Sequence, residues 1–334
     1  LNSIMQGVRE PLMMGIVVAT ILIQVKLMGG TLSTIILSLL FFFRGLTAVT
    51  QLQTNYNKFL GFSGSLINVQ EFIADLRKHR RKNGKEKLPA FESAIELQDV
   101  SFAYASSDTI LNKINLKLAK NETIAFVGES GSGKTTLVNI LAGLLIPTSG
   151  KMFIDKYDSE QLDITTFQKR IGYITQEPVI FDDTVFNNVT FWAEKNNKNV
   201  SRFREALQKA DIDQFIAGQR DGMDTRLGNN GVSLSGGQKQ RISIARELYK
   251  QVEILFMDEA TSALDSETEK QIQHNIDELK GQYSIVIIAH RLSTVKNCDK
   301  IILLDQGEIK AQGNYKSLIN ESNEFADMIN SQQL

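Results

Sequence analysis

The eight residues 128–135, GESGSGKT, constrain the fold of this chain more than any other segment. A glycine, four residues and then Gly-Lys-Thr is the spacing of a loop whose backbone N–H groups wrap phosphates. The apolar run 122–127 before it predicts a buried strand, and the run 136–142 after it predicts a helix. Because such a loop places the anion on the helix N-terminus, this context favours a nucleotide site over a plain glycine-rich turn.

Each residue type in this loop suits one part of a phosphate chain. The Lys134 ammonium would contact the terminal phosphates, and the Thr135 hydroxyl would complete the shell of a Mg²⁺ ion. The other members would line the phosphates with N–H groups or hydroxyls, and they are Gly128, Ser130, Gly131, Ser132, Gly133 and Thr136. The loop therefore predicts a bound nucleotide with its magnesium ion.

Five further features accompany the loop in a fixed order along the chain. They are Tyr104, Gln176, the LSGGQ run at 234–238, the pair Asp258-Glu259, and His290. The acidic pair follows the apolar run 252–257 and the histidine follows the run 284–289, so both lie at the ends of expected buried strands. Together with the loop, these segments resemble the nucleotide-binding domain of ABC transporters, over about residues 94–334.

The resemblance implies an α/β P-loop NTPase fold with a RecA-like parallel core, an antiparallel β layer and a helical subdomain at about 177–245. Short alternating runs at 95–100 and 114–118 predict the antiparallel layer from the sequence itself. Strands that alternate with helices predict the parallel sheet. Phosphate chemistry in such a sheet is expected at the carboxyl ends of the strands.

The resemblance also implies roles for the other site residues, with ATP as the nucleotide. Gln176 would be a further Mg²⁺ ligand, Asp258 would bind the ion directly or lie in its outer shell, and Glu259 would be the general base or the carboxylate that orients the attacking water. His290 would contact the γ-phosphate and this water. Tyr104 would stack on the adenine. A purely solvating role for Glu259 is disfavoured, because two carboxylates at the end of a buried strand require compensation of their charge.

The LSGGQ run implies a second protein chain. Ser235 and the backbone N–H groups of Gly236 and Gly237, followed by Gln238, would form an anion site at a helix start. In the family this segment completes the site of the opposing subunit, and Asp265 would lie at the same interface. Every element of the site is intact in this chain. A homodimer with two ATP sites is therefore expected, and a different partner subunit is the alternative.

The first 50 residues are far more apolar than the remainder of the chain. The runs 11–28 and 32–49 approach the roughly 20 apolar residues that a helix needs to cross a bilayer. We expect a hairpin of membrane helices at about 8–28 and 31–77, the second extending into the cytoplasm. A signal peptide would have one apolar segment, and two buried core helices of this length would be unusual in a soluble ATPase.

Charge orients this hairpin and limits the partners. Basic residues at 77–87 and Arg9 place both ends of the hairpin in the cytoplasm. The expected organisation is a partial transmembrane domain at 1–77, a basic linker at 78–93 and a cytoplasmic nucleotide-binding domain at 94–334, integral to the plasma (inner) membrane. The net charge of −1 gives no support for a nucleic-acid partner, and the single cysteine excludes an intramolecular disulfide.

A membrane hairpin fused to this ATPase domain resembles the exporter type of ABC transporter. Exporter subunits of this type usually have six membrane helices. We therefore expect this chain to be the C-terminal part of a half-transporter, with the last two of those six helices. The predicted function is ATP hydrolysis that moves a cargo of unknown class: lipid, lipid-linked saccharide, peptide or drug. The alternative, a soluble ABC ATPase, is disfavoured by the hairpin. Asn229 stands where exporters usually have glutamate, and Arg44 would either snorkel or line the cargo path.

Overall fold

The computed structural model describes residues 2–27, 29, 31–78, 83–104, 108–258, 266–289 and 294–332. The chain forms two units, Leu1–Arg81 and Lys82–Leu334. The first unit consists of two helices, α1 (Asn2–Leu27) and α2 (Leu32–Lys78). The Gln24 side-chain amide donates to the Ser38 hydroxyl at 3.0 Å and joins the two helices.

Helix α2 is the membrane candidate among the described residues. Its segment Ser33–Lys78 is the one described helix long and apolar enough to cross a bilayer, by length and composition, while Met13–Lys26 is a shorter apolar helix. At 1.5 Å per residue, the 47 residues of α2 span about 70 Å. A hydrocarbon core is about 30 Å thick, so much of α2 extends beyond it. Arg44 is exposed on this helix.

The second unit contains two sheets. The smaller one is antiparallel and has the order β2-β1-β4-β5. Its strands are β1 (Ala94–Ala103), β2 (Thr109–Ala119), β4 (Ser149–Ile154) and β5 (Tyr157–Asp158). This sheet is the predicted antiparallel layer.

The larger sheet has the order β10-β9-β3-β8-β7-β6. Its strands are β3 (Thr123–Val127), β6 (Ile171–Ile174), β7 (Ile254–Asp258), β8 (Ser284–Ile288), β9 (Lys300–Asp305) and β10 (Glu308–Gly313). All neighbours are parallel except β10, which runs antiparallel to β9. The predicted α/β fold with a parallel core is therefore confirmed.

The described α-helices of this unit lie between the strands and after them. They are α3 (Lys134–Leu141), α4 (Ile164–Gln168), α5 (Val185–Thr190), α6 (Asn197–Lys209), α7 (Asp213–Ala217), α8 (Gly236–Tyr249), α9 (Ser266–Leu279), α10 (Tyr315–Glu321) and α11 (Asn323–Gln332). Helices α5 to α8 form a group between β6 and β7, where the sequence predicts a helical subdomain.

Hydrophobic cores cover both faces of the larger sheet. In β3, Ala125 and Val127 belong to one core, and Ile124 and Phe126 belong to the other. This division follows from the two-residue period of a strand. Strands buried on both faces have nearly continuous apolar sequences, which is why the run 252–257 predicts β7 so clearly.

Hydrogen bonds hold the segment before β1 against the rest of the second unit. The Asp155 carboxylate accepts the backbone N–H groups of Glu92, Ser93 and Ala94 at distances of 2.9, 2.7 and 3.0 Å. The Phe91 side chain is completely buried. Part of the predicted 78–93 linker is therefore packed against the domain that follows it.

Candidate nucleotide site

The phosphate loop connects β3 to α3 through backbone conformations that favour glycine. Gly128, Gly131 and Gly133 have φ angles of 146°, 84° and 100°. A Cβ atom on Gly133 would lie 2.8 Å from the Leu111 Cδ2 atom. Glycine is therefore required both by the turn and by the close approach of β2 to the loop.

Lys134 is the first residue of α3, and its side chain bends back over the loop. Its ammonium donates to the carbonyl oxygens of Gly128 at 2.9 Å and Glu129 at 2.7 Å. The residue is 5% exposed. A positive charge is thus held beside the glycine backbone, where a phosphate chain would lie.

The loop encloses a cavity of about 260 Å³. It is lined by Ile110, Ser130, Gly131, Gly133, Lys134, Thr135 and Thr136. Among the described residues, no side chain caps the N-terminus of α3, so its first N–H groups are available to an anion. The helix dipole, the ammonium and the hydroxyls complete a donor set that fits a polyphosphate.

Gln176 and Asp258 lie at the edge of the sheet that carries this loop. β6 and β7 are parallel neighbours with Ile174 opposite Met257, so Gln176 comes two residues after β6 and Asp258 ends β7. β8 alone separates β7 from β3. The fold thereby brings the predicted Mg²⁺ ligands Gln176 and Asp258 to the same end of the sheet as Thr135. Amide, carboxylate and hydroxyl oxygens suit Mg²⁺, which uses few protein ligands together with phosphates.

Tyr173 belongs to this site, although sequence reasoning did not identify it. Its hydroxyl donates to Asn139 Oδ1 on α3 at 3.4 Å. Burial, and then the negative charge of the nearby Asp258 carboxylate, raise the pKa of Tyr173 to about 12. The hydroxyl is therefore protonated, and a donor, at neutral pH. The signal was present, since a tyrosine hydroxyl on a buried strand needs a partner.

Tyr104 comes directly after β1 of the smaller sheet. Its ring meets Phe102 edge-on at a centroid distance of 4.9 Å and remains 46% exposed. Phe102 pairs with Leu111, the neighbour of the cavity-lining Ile110. The strand that precedes Tyr104 is therefore paired with the strand that carries Ile110.

The LSGGQ residues begin α8 and do not line the cavity of the phosphate loop. Ser235 caps the helix: its hydroxyl accepts the Gln238 N–H at 3.3 Å, and its N–H donates to Gln238 Oε1 at 2.9 Å. Gly236 is exposed and Gly237 is buried. A serine hydroxyl can accept one hydrogen bond and donate another at the same time. The Ser235 hydroxyl accepts in this cap, so its proton can be donated to an acceptor outside the helix.

Three predicted site residues, Glu259, Asp265 and His290, lie outside the described residues. Glu259 comes directly after β7, and His290 comes two residues after β8. Among the residues that the structure does describe, no group of three or more His, Cys, Asp or Glu side chains could hold a metal ion. The predicted Mg²⁺ site has a different composition, with one carboxylate, one amide, one hydroxyl and the phosphates.

Comparisons with known proteins agree with this geometry. Residues 111–262 match the ABC transporter family. The heterocyst differentiation ATP-binding protein HepA of Nostoc sp. is 35% identical over 316 residues, which are 93% of this chain and 52% of that protein. The ATP-dependent lipid A-core flippase of Saccharophagus degradans is 37% identical over 284 residues, which are 85% of this chain and 47% of that protein.

A solved structure extends the similarity to the fold. A bacterial Atm1-family ABC exporter with ATP bound is 32% identical, with a TM-score of 0.73, covering 82% of this chain and 48% of that chain. This chain thus spans about half the length of these relatives. The exporter relatives and the long apolar helix α2 indicate association with a membrane. The chain belongs to the ABC transporter family, and it carries the ATP-binding domain of an exporter-type member.

Proposed function

We propose that this chain hydrolyses ATP as one subunit of a dimeric ABC exporter or flippase. The observation that carries the proposal is the phosphate loop, which holds the Lys134 ammonium beside the uncapped start of α3. Gln176 and Asp258 lie at the same end of the sheet. Phosphoryl transfer depends on positioning and charge neutralisation, and this edge of the domain supplies both.

In the proposed reaction, Lys134 and the loop N–H groups bind the β- and γ-phosphates. Thr135, Gln176 and Asp258 would hold Mg²⁺, which supplies charge neutralisation when bound. Glu259 accepts a proton from the attacking water while the water oxygen bonds to the γ-phosphorus and the bond to the leaving ADP oxygen breaks. In the same proposal, His290 contacts the γ-phosphate and Tyr104 stacks on the adenine.

The second copy would complete each site. The Ser235 hydroxyl retains a proton for an external acceptor, and Gly236 at the helix start is exposed. A phosphate chain held on the loop of the other copy is such an acceptor in a head-to-tail dimer. Asp265 would lie at the same interface.

We further propose a lipid or lipid-linked saccharide as cargo, with peptides and drugs as alternatives. Named relatives include lipid A-core flippases, and the similarity covers about half of their length. We place the chain in the plasma (inner) membrane. The basic residues at 77–87 favour an orientation in which the ATPase domain lies in the cytoplasm.

The test compares Glu259→Gln with Lys134→Ala. Glu259→Gln should retain ATP binding but lose turnover by at least about 100-fold, because a general base acts in the transition state. Lys134→Ala should lose binding and turnover together. Phosphate release and binding of a fluorescent ATP analogue measure the two properties. Hydrolysis at the wild-type rate in Glu259→Gln would refute the assigned mechanism.

A further inference from the structure

Arg241 joins the helix that begins with the LSGGQ residues to two other parts of the ATPase domain. It belongs to α8 and comes six residues after Ser235. Its Nη1 atom donates to the Asp211 carbonyl oxygen at 2.7 Å and lies 3.1 Å from the Asp211 carboxylate. Its Nη2 atom donates to Gln271 Oε1 of α9 at 2.9 Å. One guanidinium thus connects α8, α9 and the loop between α6 and α7.

The first half of α8 is less embedded in the domain than the second half. Every residue from 242 to 249 is buried, whereas Gly236 and Gln238 are not. The capping box joins Ser235 to Gln238 within the helix start itself. Within the described part of the chain, Arg241 supplies the side-chain hydrogen bonds that tie this first half to other elements. The position of the LSGGQ residues therefore depends on Arg241.

The guanidinium has a geometry that suits this bridge. Its N–H groups point in fixed directions within one plane, so one side chain can hold two acceptors in a defined relation. The Arg241 side chain is 16% exposed, which partly shields these hydrogen bonds from water. Gln271 comes five residues after the first residue of α9. At 1.5 Å per residue, the starts of α8 and α9 both lie within about 8 Å of the bridge along their helix axes.

We propose that Arg241 is a positioning residue for the ATP site of the partner copy, because its bridge to Gln271 and Asp211 fixes the LSGGQ helix start. The inference rests on the proposed head-to-tail dimer, in which Ser235 contacts phosphates that are bound to the other copy. Arg241 acts through α8 in this arrangement. Phosphoryl transfer depends on positioning, so a shift of the helix start by about 1 Å should lower the rate strongly.

The test places Arg241→Gln on either side of a single intact site. A dimer in which one copy carries Lys134→Ala retains one site, built from the phosphate loop of the other copy and the LSGGQ residues of the substituted copy. Arg241→Gln in the Lys134→Ala copy should lower kcat about tenfold. In the other copy it falls on the disabled site and should leave kcat unchanged. Phosphate release from heterodimers of the full chain, purified with two affinity tags, measures both rates.

Two further variants separate the bridge from other effects. Gln271→Ala removes the acceptor on α9, and in the Lys134→Ala copy it should lower kcat as Arg241→Gln does. Both substitutions together should cost little more than either one, because they break the same bridge. Arg204→Gln is the matched control, since Arg204 is exposed on α6. It should leave kcat unchanged in either copy.

The possible outcomes distinguish the bridge from the dimer on which it rests. Equal losses from Arg241→Gln in the two copies would overturn the inference, because the effect would be a general destabilisation. An unchanged kcat in Gln271→Ala would also overturn it. Ser235→Arg, placed in the same two ways, tests the dimer itself. If its effect does not depend on the copy, the proposed dimer is refuted and the inference with it. If only the effect of Ser235→Arg depends on the copy, the role of Arg241 alone is refuted.

Discussion

Gly128 is a residue of the phosphate loop that packs directly against the larger sheet. A Cβ atom there would lie 2.0 Å from the Leu304 carbonyl oxygen of β9. Gly131 also has a positive φ, of 84° against 146° at Gly128, but a Cβ atom on it would have no heavy atom within 4 Å. Backbone conformation disfavours a Cβ atom at both positions, and lack of space disfavours it at Gly128 alone.

We predict that Gly128→Ala is much more destabilising than Gly131→Ala. A positive φ costs a non-glycine residue on the order of 1–3 kcal/mol, and such a cost applies at both positions. Overpacking against rigid backbone adds about 1–3 kcal/mol at Gly128, so the total there is about 3 kcal/mol. Denaturant unfolding without nucleotide measures both values. Equal destabilisation in the two variants would contradict the close contact with β9.

Residue types and spacing were sufficient to predict the loop, because its glycines and Lys134 are required by local geometry. The stacking of Tyr173 on Phe256 could not be predicted in the same way. It depends on the register of β6 against β7, which places Tyr173 opposite Phe256. An apolar strand pattern predicts burial, but it does not specify which neighbouring strand a side chain meets.

At the scale of elements, the segment between β6 and α6 is tied to α8. Arg246 of α8 is buried. Its guanidinium carbon lies 5.4 Å from the centre of the Phe181 ring and 5.3 Å from that of the Phe191 ring. Its Nε–H donates to the Asn188 carbonyl at 2.7 Å. The segment that begins near Gln176 therefore packs on the helix that Ser235 begins. The sequence predicted both elements, but not this contact, because it depends on tertiary packing of the aromatic rings.

Asp183 organises the same segment as a hydrogen-bond acceptor. Its carboxylate accepts the Thr184 N–H at 2.7 Å, the Asn187 amide at 3.0 Å and the Trp192 indole N–H at 2.7 Å. These hydrogen bonds lower the pKa of Asp183 below its ordinary value of 3.8, and the bond from the Thr184 N–H has the largest effect. A carboxyl group with a lowered folded-state pKa stabilises the fold above its unfolded-state pKa. This contribution is lost as the pH falls through the folded-state pKa.

We therefore predict a pH-dependent difference in stability between the wild type and Asp183→Asn. The wild type should be more stable by a constant margin from pH 7 to about 5, and the margin should shrink as the pH falls below 3.8. Trp192 is the single tryptophan, so its fluorescence reports urea unfolding of this domain. A margin that stays constant, or that grows in acid, would contradict the role given to Asp183.

At the scale of the whole molecule, the LSGGQ helix start is not among the described residues that line the cavity of the phosphate loop, and we propose that the two complete each other between copies. A homodimer with two-fold symmetry would pair each half with its complement and form two equal sites. Local sequence patterns were sufficient to predict the strands and helices of one chain. The pairing of surfaces between copies came from family resemblance, since no periodic pattern specifies it.

Mixing two inactive variants tests this pairing. Ser235→Arg and Lys134→Ala should each be nearly inactive as homodimers. In the mixed dimer both substitutions fall on one composite site, and the other site is intact. Random pairing at equal amounts should restore up to about a quarter of the wild-type hydrolysis rate. Two affinity tags verify heterodimer formation, and no recovery in verified heterodimers would mean that each site is built from a single chain.

The order of the strands also sets the spacing between the two parts of the proposed site. Asp258 ends β7 and the phosphate loop begins after β3, with only β8 between them. Neighbouring strands are about 4.8 Å apart, so the ends of β3 and β7 are separated by about 10 Å. In the proposed site, the bound phosphates and their metal ion would lie across the end of β8, which is the strand that ends two residues before His290.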